Sequence, residues 1–167
     1  MRRRDLATLA LAVLVGGCGY SVMGTLPGDI KTIAIPIFQN LTREPAVEGL
    51  ITRAVVEAFS TNGRLKVVSA AEADAVLDGE VVGYSVYSIA FDKDSNVREY
   101  RLVVSVNLQL RDRRKNEVLF KQSGVREQVD FRVQNAVSQT ISLEETALRA
   151  AAVEVGRSIA SLTVTRF

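Results

Sequence analysis

Arg98-Glu99-Tyr100-Arg101-Leu102-Val103-Val104-Ser105-Val106-Asn107-Leu108-Gln109-Leu110 alternates apolar and polar residues with a period of two. Tyr100, Leu102, Val104, Val106, Leu108 and Leu110 fall on one side of an extended chain. Glu99, Arg101, Ser105, Asn107, Gln109 and Arg111 fall on the other, with Val103 the apolar exception. This is the pattern of an antiparallel strand with one buried and one wet face. Working outward, Asp92 to Asn96 is a polar turn. Before it, Ala75 to Phe91 is apolar on both parities, with Gly79 and Gly83 as positions for a bulge or a close approach. On the other side Arg113-Arg114-Lys115-Asn116 turns the chain, and Val118 to Phe131 returns with Gly124 as a bulge. The three runs read as a meander of long strands.

The flanks supply helices. Lys31 to Ile37 is β-branched and reads as a first strand, with Pro36 marking its end or an edge. Phe38 to Glu44 reads as a polar loop. Pro45 suits the first turn of a helix. Val47, Leu50, Ile51, Ala54, Val55, Ala58 and Phe59 then recur at helical spacing, and Asn62-Gly63 stops the helix. Leu65, Val67 and Val68 form a short strand, and Ser69 to Glu72 reads as a capping box opening one helical turn. Ser142 to Glu145 is a second capping box, before a stripe of Leu148, Ala151, Ala152, Val155, Ile159 and Leu162. The expected fold is an α/β (α+β) two-layer sandwich, a mixed and mostly antiparallel sheet with two helices on one face, in the order β-α-β-β-β-β-α.

Composition excludes much chemistry. The 167 residues contain no His and one Cys. That removes Ser-His-Asp triads, Cys-His pairs and Cys-based zinc sites. No dinucleotide fingerprint or Walker phosphate loop occurs. Glu144 and Glu145 are adjacent and point apart on a helix, so helix-terminal charge is their simple role. Asp74 and Asp78 flank a strand start and read as turn or solvent groups. A carboxylate-only hydrolase is the remaining enzymatic reading. The expectation is no enzyme, no metal and no cofactor.

The N-terminus is an export signal. Met1 is followed by Arg2, Arg3 and Arg4, and Leu6 to Val15 is apolar. This ten-residue run, apolar but for Thr8, matches a secretory signal and falls short of the about 20 needed to span a bilayer. Val15-Gly16-Gly17-Cys18 resembles the lipobox of bacterial lipoproteins. That resemblance implies a diacylglyceryl group on the Cys18 thiol, cleavage before it and acylation of the new amino group. Three acyl chains exceed the two signals needed for stable anchoring. The competing reading is a plain secretory signal with a chance cysteine. Gly19 stands where an Asp would imply retention in the inner membrane, so the lipobox resemblance implies the outer membrane. The expected divisions are a signal at 1–17, a lipidated tether at 18–29 and one domain at 30–167. Residues 1–17 hold three of the 21 Lys and Arg and one of the 19 Asp and Glu, so the chain from Cys18 onward is charge-balanced. A balanced domain lacks the basic footprint of a nucleic-acid binder.

Taken together, several motifs resemble the LptE family of lipopolysaccharide-assembly lipoproteins. They are Cys18-Gly19-Tyr20, Leu26-Pro27, Ile30 to Pro36, Asn40-Leu41-Thr42, Gly63 to Val68, Ala73 to Leu77 and Glu99-Tyr100-Arg101. The resemblance covers nearly the whole chain after Cys18. It implies two helices on one face of a mixed sheet and a large β-barrel partner, LptD, which the lipoprotein plugs and helps assemble. It also implies lipid anchoring at the periplasmic face of the outer membrane, and lipopolysaccharide as ligand. A basic residue of the family lies six positions before the Glu-Tyr pair, which is Lys93 here. A second basic site falls at Asn135, and Arg132, three residues away, is the cation that could stand in. A charged turn that is merely solvated is the simple alternative for both. Another envelope lipoprotein adaptor, a regulator of peptidoglycan synthesis or a secretion-pore subunit, is the alternative function. The lipobox generates one test: Cys18→Ser is expected to leave the precursor uncleaved and without lipid by mass spectrometry. Normal processing of that variant would leave a plain secretory signal.

Overall fold

The computed structural model describes residues 29–133 and 137–165. The expected order is present, with one two-residue strand added. β1 is Thr32–Ala34, β2 Gln39–Asn40, α1 Val47–Asn62, β3 Lys66–Val67, β4 Ala75–Phe91, β5 Val97–Asp112, β6 Glu117–Arg132 and α2 Val137–Thr165. The sheet order is β3-β1-β4-β5-β6, with β2 also on β4. β1 runs parallel to β3 and β4, so α1 is the crossover between parallel strands. β4, β5 and β6 form the antiparallel meander. The first strand is shorter than Lys31–Ile37. The chain leaves the ladder after Ala34, ahead of Pro36, and rejoins it at Gln39↔Glu80.

The alternation in β5 governs the layers. Leu102, Val104, Val106, Leu108 and Leu110 are buried under the helices together with Leu77 and Val81 of β4 and Phe120, Val125 and Phe131 of β6. Val103, on the wet side, is buried too. Its register neighbours are Ser85 and Gln128, and Arg101 and Ser105 lie two residues either side of it on that face. Gly124 takes φ +68 within the register shift between Val106 and Leu108. Gly79 is a close-approach position: a Cβ there would lie 2.4 Å from the Phe38 ring. Phe38 is therefore core, not polar loop.

α1 buries Val47, Ile51, Val55 and Phe59, one per turn. Thr52 lies on the same side. Its hydroxyl donates to the Glu48 carbonyl (2.7 Å) and accepts the Phe38 N–H (3.0 Å), pinning the loop beneath the helix. Gly63 ends α1 at φ +71, with its N–H on the Phe59 carbonyl. Pro45 lies just outside the helix, because Ala46 takes φ +60 as the N-cap with no side-chain cap. Neither expected capping box opens a helix. Ser69 to Glu72 closes as a turn, with the Glu72 N–H on the Ser69 carbonyl. Ser142 falls inside α2, which starts at Val137.

α2 presents Ala147, Leu148, Ala151, Ala152, Val155, Ile159 and Ala160 to the core. Small residues let it lie close to α1. At Gly156 an added Cβ would sit 2.6 Å from the Ala54 carbonyl oxygen, a contact with rigid backbone. Gly156→Leu is therefore expected to push the helices apart and cost about 1–3 kcal/mol, read as a fall in urea midpoint. An unchanged midpoint would mean that the two helices are not in close contact.

Candidate functional site

Two features of the domain face solvent in an organised way: the helix-free face of the sheet, and its two ends. On the open face, two arginines bridge neighbouring strands. Arg101 meets Asp130 with both ends of its fork, Nε–Oδ1 at 2.6 Å and Nη2–Oδ2 at 2.7 Å. This pairing holds the Asp130 carboxyl below its ordinary range and raises the Arg101 guanidinium. Arg111 grips Asp78 Oδ2 through Nη2 (2.7 Å) and Nε (3.0 Å). A depression of about 320 Å³ lies beside this second pair, lined by Asp78, Glu80, Asn107, Gln109, Arg111 and Lys121. Each pair satisfies itself across the ladder, while Glu80, Lys121 and Arg126 on the same face form no ion pair among the described residues. Exposed pairs of this kind add little stability; their effect is to keep the face wet.

The end of the sheet nearest Asp29 is tied together by Asp74. Its carboxylate accepts the N–H groups of Lys31 (2.9 Å) and Thr32 (3.0 Å), the Thr32 hydroxyl (2.9 Å) and Arg114 Nη2 (2.7 Å). The Thr32 hydroxyl accepts the Asp74 N–H in return (2.9 Å). These donors, the Lys31 N–H first, pull the Asp74 carboxyl down to about 2. Arg114 also donates to the Asp29 carbonyl (2.9 Å), and Arg113 to the Ala71 carbonyl (2.6 Å). Two of the basic residues crowding this turn are thus structural ties. By sequence Asp74 reads as a turn or solvent group. An aspartate one residue before a strand carries no signal of a partner more than forty positions away.

The opposite end holds Lys93. The turn Asp92–Asn96 is built on the Asp92 carboxylate, which accepts the N–H groups of Asp94 and Asn96 at 2.9 Å and pairs with Arg98 at 3.0 Å. The Asn96 N–H is the main cause that holds Asp92 below its ordinary range. Lys93 is exposed, and no ion pair to it occurs among the described residues. Arg132 closes β6 opposite Glu99 and is also exposed. The fold thus brings Lys93 and Arg132 to one end of the sheet, away from the Asp74 cluster. Asn135 and Cys18 lie outside the described residues. Sequence reasoning missed Glu144 as a contact: it accepts the Tyr84 hydroxyl at 2.8 Å, and this bond and burial, burial first, raise the Tyr84 phenol well above its usual range. Among the described residues no group of His, Cys, Asp and Glu could hold a metal ion, and no helix is long and apolar enough to cross a membrane.

A two-layer domain of this order, with one sheet face under the helices and one polar face, is an α+β fold. The LptE (lipopolysaccharide-assembly) family model matches residues 30–162, and the chain belongs to that family. No curated protein matches it in sequence. Among solved structures it is similar to lipoprotein B of Nitrosomonas europaea, at 20% identity over 84% of this chain and 92% of that one, with TM-score 0.52. It is also similar to a minor lipoprotein of Acinetobacter baumannii, at 13% identity over 84% and 96%, with TM-score 0.52. A third is PelC of Paraburkholderia phytofirmans, solved as a dodecamer, at 17% identity over 80% and 91%, with TM-score 0.51. At these identities the likeness shows a shared fold.

The Asp74 cluster generates a pH prediction. A depressed carboxyl stabilises the fold above about pH 4, and that contribution is lost as pH falls through about 2. Asp74→Asn is expected to melt lower than the parent at pH 7 and to lose less on going from pH 4 to pH 2. Equal losses by thermal melts would sink the assignment.

Proposed function

We propose that this chain is an outer-membrane lipoprotein, held at the periplasmic face by acyl groups on Cys18, that plugs and helps assemble the LptD β-barrel and assists lipopolysaccharide transport to the cell surface. The observation that carries the proposal is the family match over residues 30–162. The geometry supports it. A plug in a water-lined barrel must be stable with a polar flank turned outward. The sheet face carrying the Arg101–Asp130 and Arg111–Asp78 pairs is such a flank. The role needs no catalytic group: docking and shape suffice. Residues 1–17 serve as the signal, 18–29 as the tether and 30–167 as the working domain.

Lys93 and Arg132 are the lipopolysaccharide contacts in this reading. Phosphate on a lipid headgroup needs cations that are not already neutralised, and Arg adds a fork that fits phosphate oxygens. In its turn Asp92 is paired to Arg98 of β5 and the neighbouring Asp94 is exposed; Lys93 itself forms no ion pair among the described residues. It is therefore free to meet an anion.

Two outcomes test the proposal. Detergent pull-down of the native lipoprotein is expected to recover a large β-barrel, and recovery of soluble periplasmic proteins alone would overturn the partner. Lys93→Glu is expected to weaken lipopolysaccharide binding, with a difference that shrinks as salt rises, while the melting temperature stays put. Unchanged binding would return Lys93 to a solvated turn.

A further inference from the structure

The two long edges of the sheet differ in how they are protected. β6 forms one of them. Glu117, Lys121, Arg126, Glu127, Asp130 and Arg132 lie along it, and Gly124 breaks its ladder. Charges along a strand are a usual means of keeping an edge from recruiting a stray partner, and here they separate the two edges. The other edge is the far half of β4. β1 and β2 cover β4 only as far as Val81, whose carbonyl accepts the Leu41 N–H at 2.9 Å. Beyond that point, among the described residues, no strand pairs with β4 on this side. From Val81 to Phe91 the sequence is Val-Val-Gly-Tyr-Ser-Val-Tyr-Ser-Ile-Ala-Phe, without one charged residue. Register shifts at Val81/Gly83, Ser88/Ala90 and Ala90/Phe91 leave one regular run, Gly83–Ser88, paired residue for residue with β5. Leu41, Val82, Tyr87 and Phe91 beside it are exposed at 61%, 38%, 42% and 59%.

We infer that the Gly83–Phe91 edge of β4 receives an extended, uncharged segment of the chain's outer-membrane partner, which adds a strand to the sheet. This rests on the proposed function for the identity of the partner. Unpaired backbone N–H and C=O groups in a row are specific for an extended strand, and the apolar residues beside them give an alternating segment its side-chain contacts. The absence of charge matters because a lysine or glutamate in this run would have to be desolvated as the segment docks. A segment fits better than a second copy. Two copies joined edge to edge would meet along one line of about 30 Å, whereas stable interfaces between folded proteins bury about 1,200–2,000 Å². A flexible segment also reaches Tyr87, Leu41 and Phe91 around the edge.

The test uses the full-length lipoprotein alone and in the detergent-solubilised complex with the barrel that co-purifies with it. Hydrogen exchange of amides 83–91 is expected to slow on complex formation by about tenfold more than that of the β6 amides. Ser85→Lys with Phe91→Lys is expected to weaken barrel capture by about tenfold or more without lowering the melting temperature, while Glu57→Lys, exposed on α1 and an equal change of charge, leaves capture intact. A recovered barrel with β4 exchange no slower than β6 overturns this inference and leaves the proposed function standing. Failure to recover any barrel overturns both. Amides 83–91 already protected in the isolated chain, whether by its own N-terminal residues or in a dimer seen by light scattering, overturn the partner segment as occupant.

Discussion

The register between β4 and β5 is the constraint on which the other features depend. It holds from Ala75↔Asp112 to Phe91↔Val97. A slip of one residue would turn Leu102, Val104, Val106, Leu108 and Leu110 out into water and bring Arg101, Asn107 and Arg111 under the helices. Because a buried unpaired guanidinium is far more costly than an exposed leucine, only one register is tolerable. That register also decides which β4 and β5 side chains meet across the open face, as the β5–β6 register does for the next pair of strands. Arg101 reaches Asp130 and Arg111 reaches Asp78 because alternation put them on the same side of neighbouring strands.

What could be read in the amino-acid order follows from how local the determinant is. β5 was legible because its period of two runs through thirteen residues. α1 was legible because Val47, Ile51, Val55 and Phe59 sit four apart and Gly63 supplies the left-handed stop. Gly79 and Gly124 were legible as special positions, although not what lies on Gly79. The helix starts were not. Ala46 adopts φ +60 with no side-chain cap, and Val137 precedes the Ser142–Glu145 signal by more than a turn. At Ala46 a left-handed residue stands where a side-chain cap would be. Phe38 looked like loop because its neighbours are polar, but it is buried by Gly79, forty-one residues on.

The charged residues divide in a way that composition conceals. Most of those near the Asp29 end tie backbone segments together: Asp74 gathers Lys31, Thr32 and Arg114, and Arg113 caps the Ala71 carbonyl. At the other end Asp92 is consumed by its own turn and by Arg98. Lys93 and Arg132 stand out only once these pairings are known. Their shared place at one end of the sheet was therefore beyond sequence reasoning, which relied on family resemblance to single out Lys93. The same resemblance pointed to the family that the match over residues 30–162 establishes.

The chain enters the domain at Asp29, beside the β5–β6 turn, while Lys93 crowns the β4–β5 turn at the other extreme. Between them run strands of sixteen and seventeen residues, about 50 Å of extended backbone. Whatever grips the N-terminal segment holds the molecule by its foot. The cationic tip is then carried a full strand's length from that hold, at the far side of a ladder that is irregular at Val81/Gly83 and again between Ser88 and Phe91.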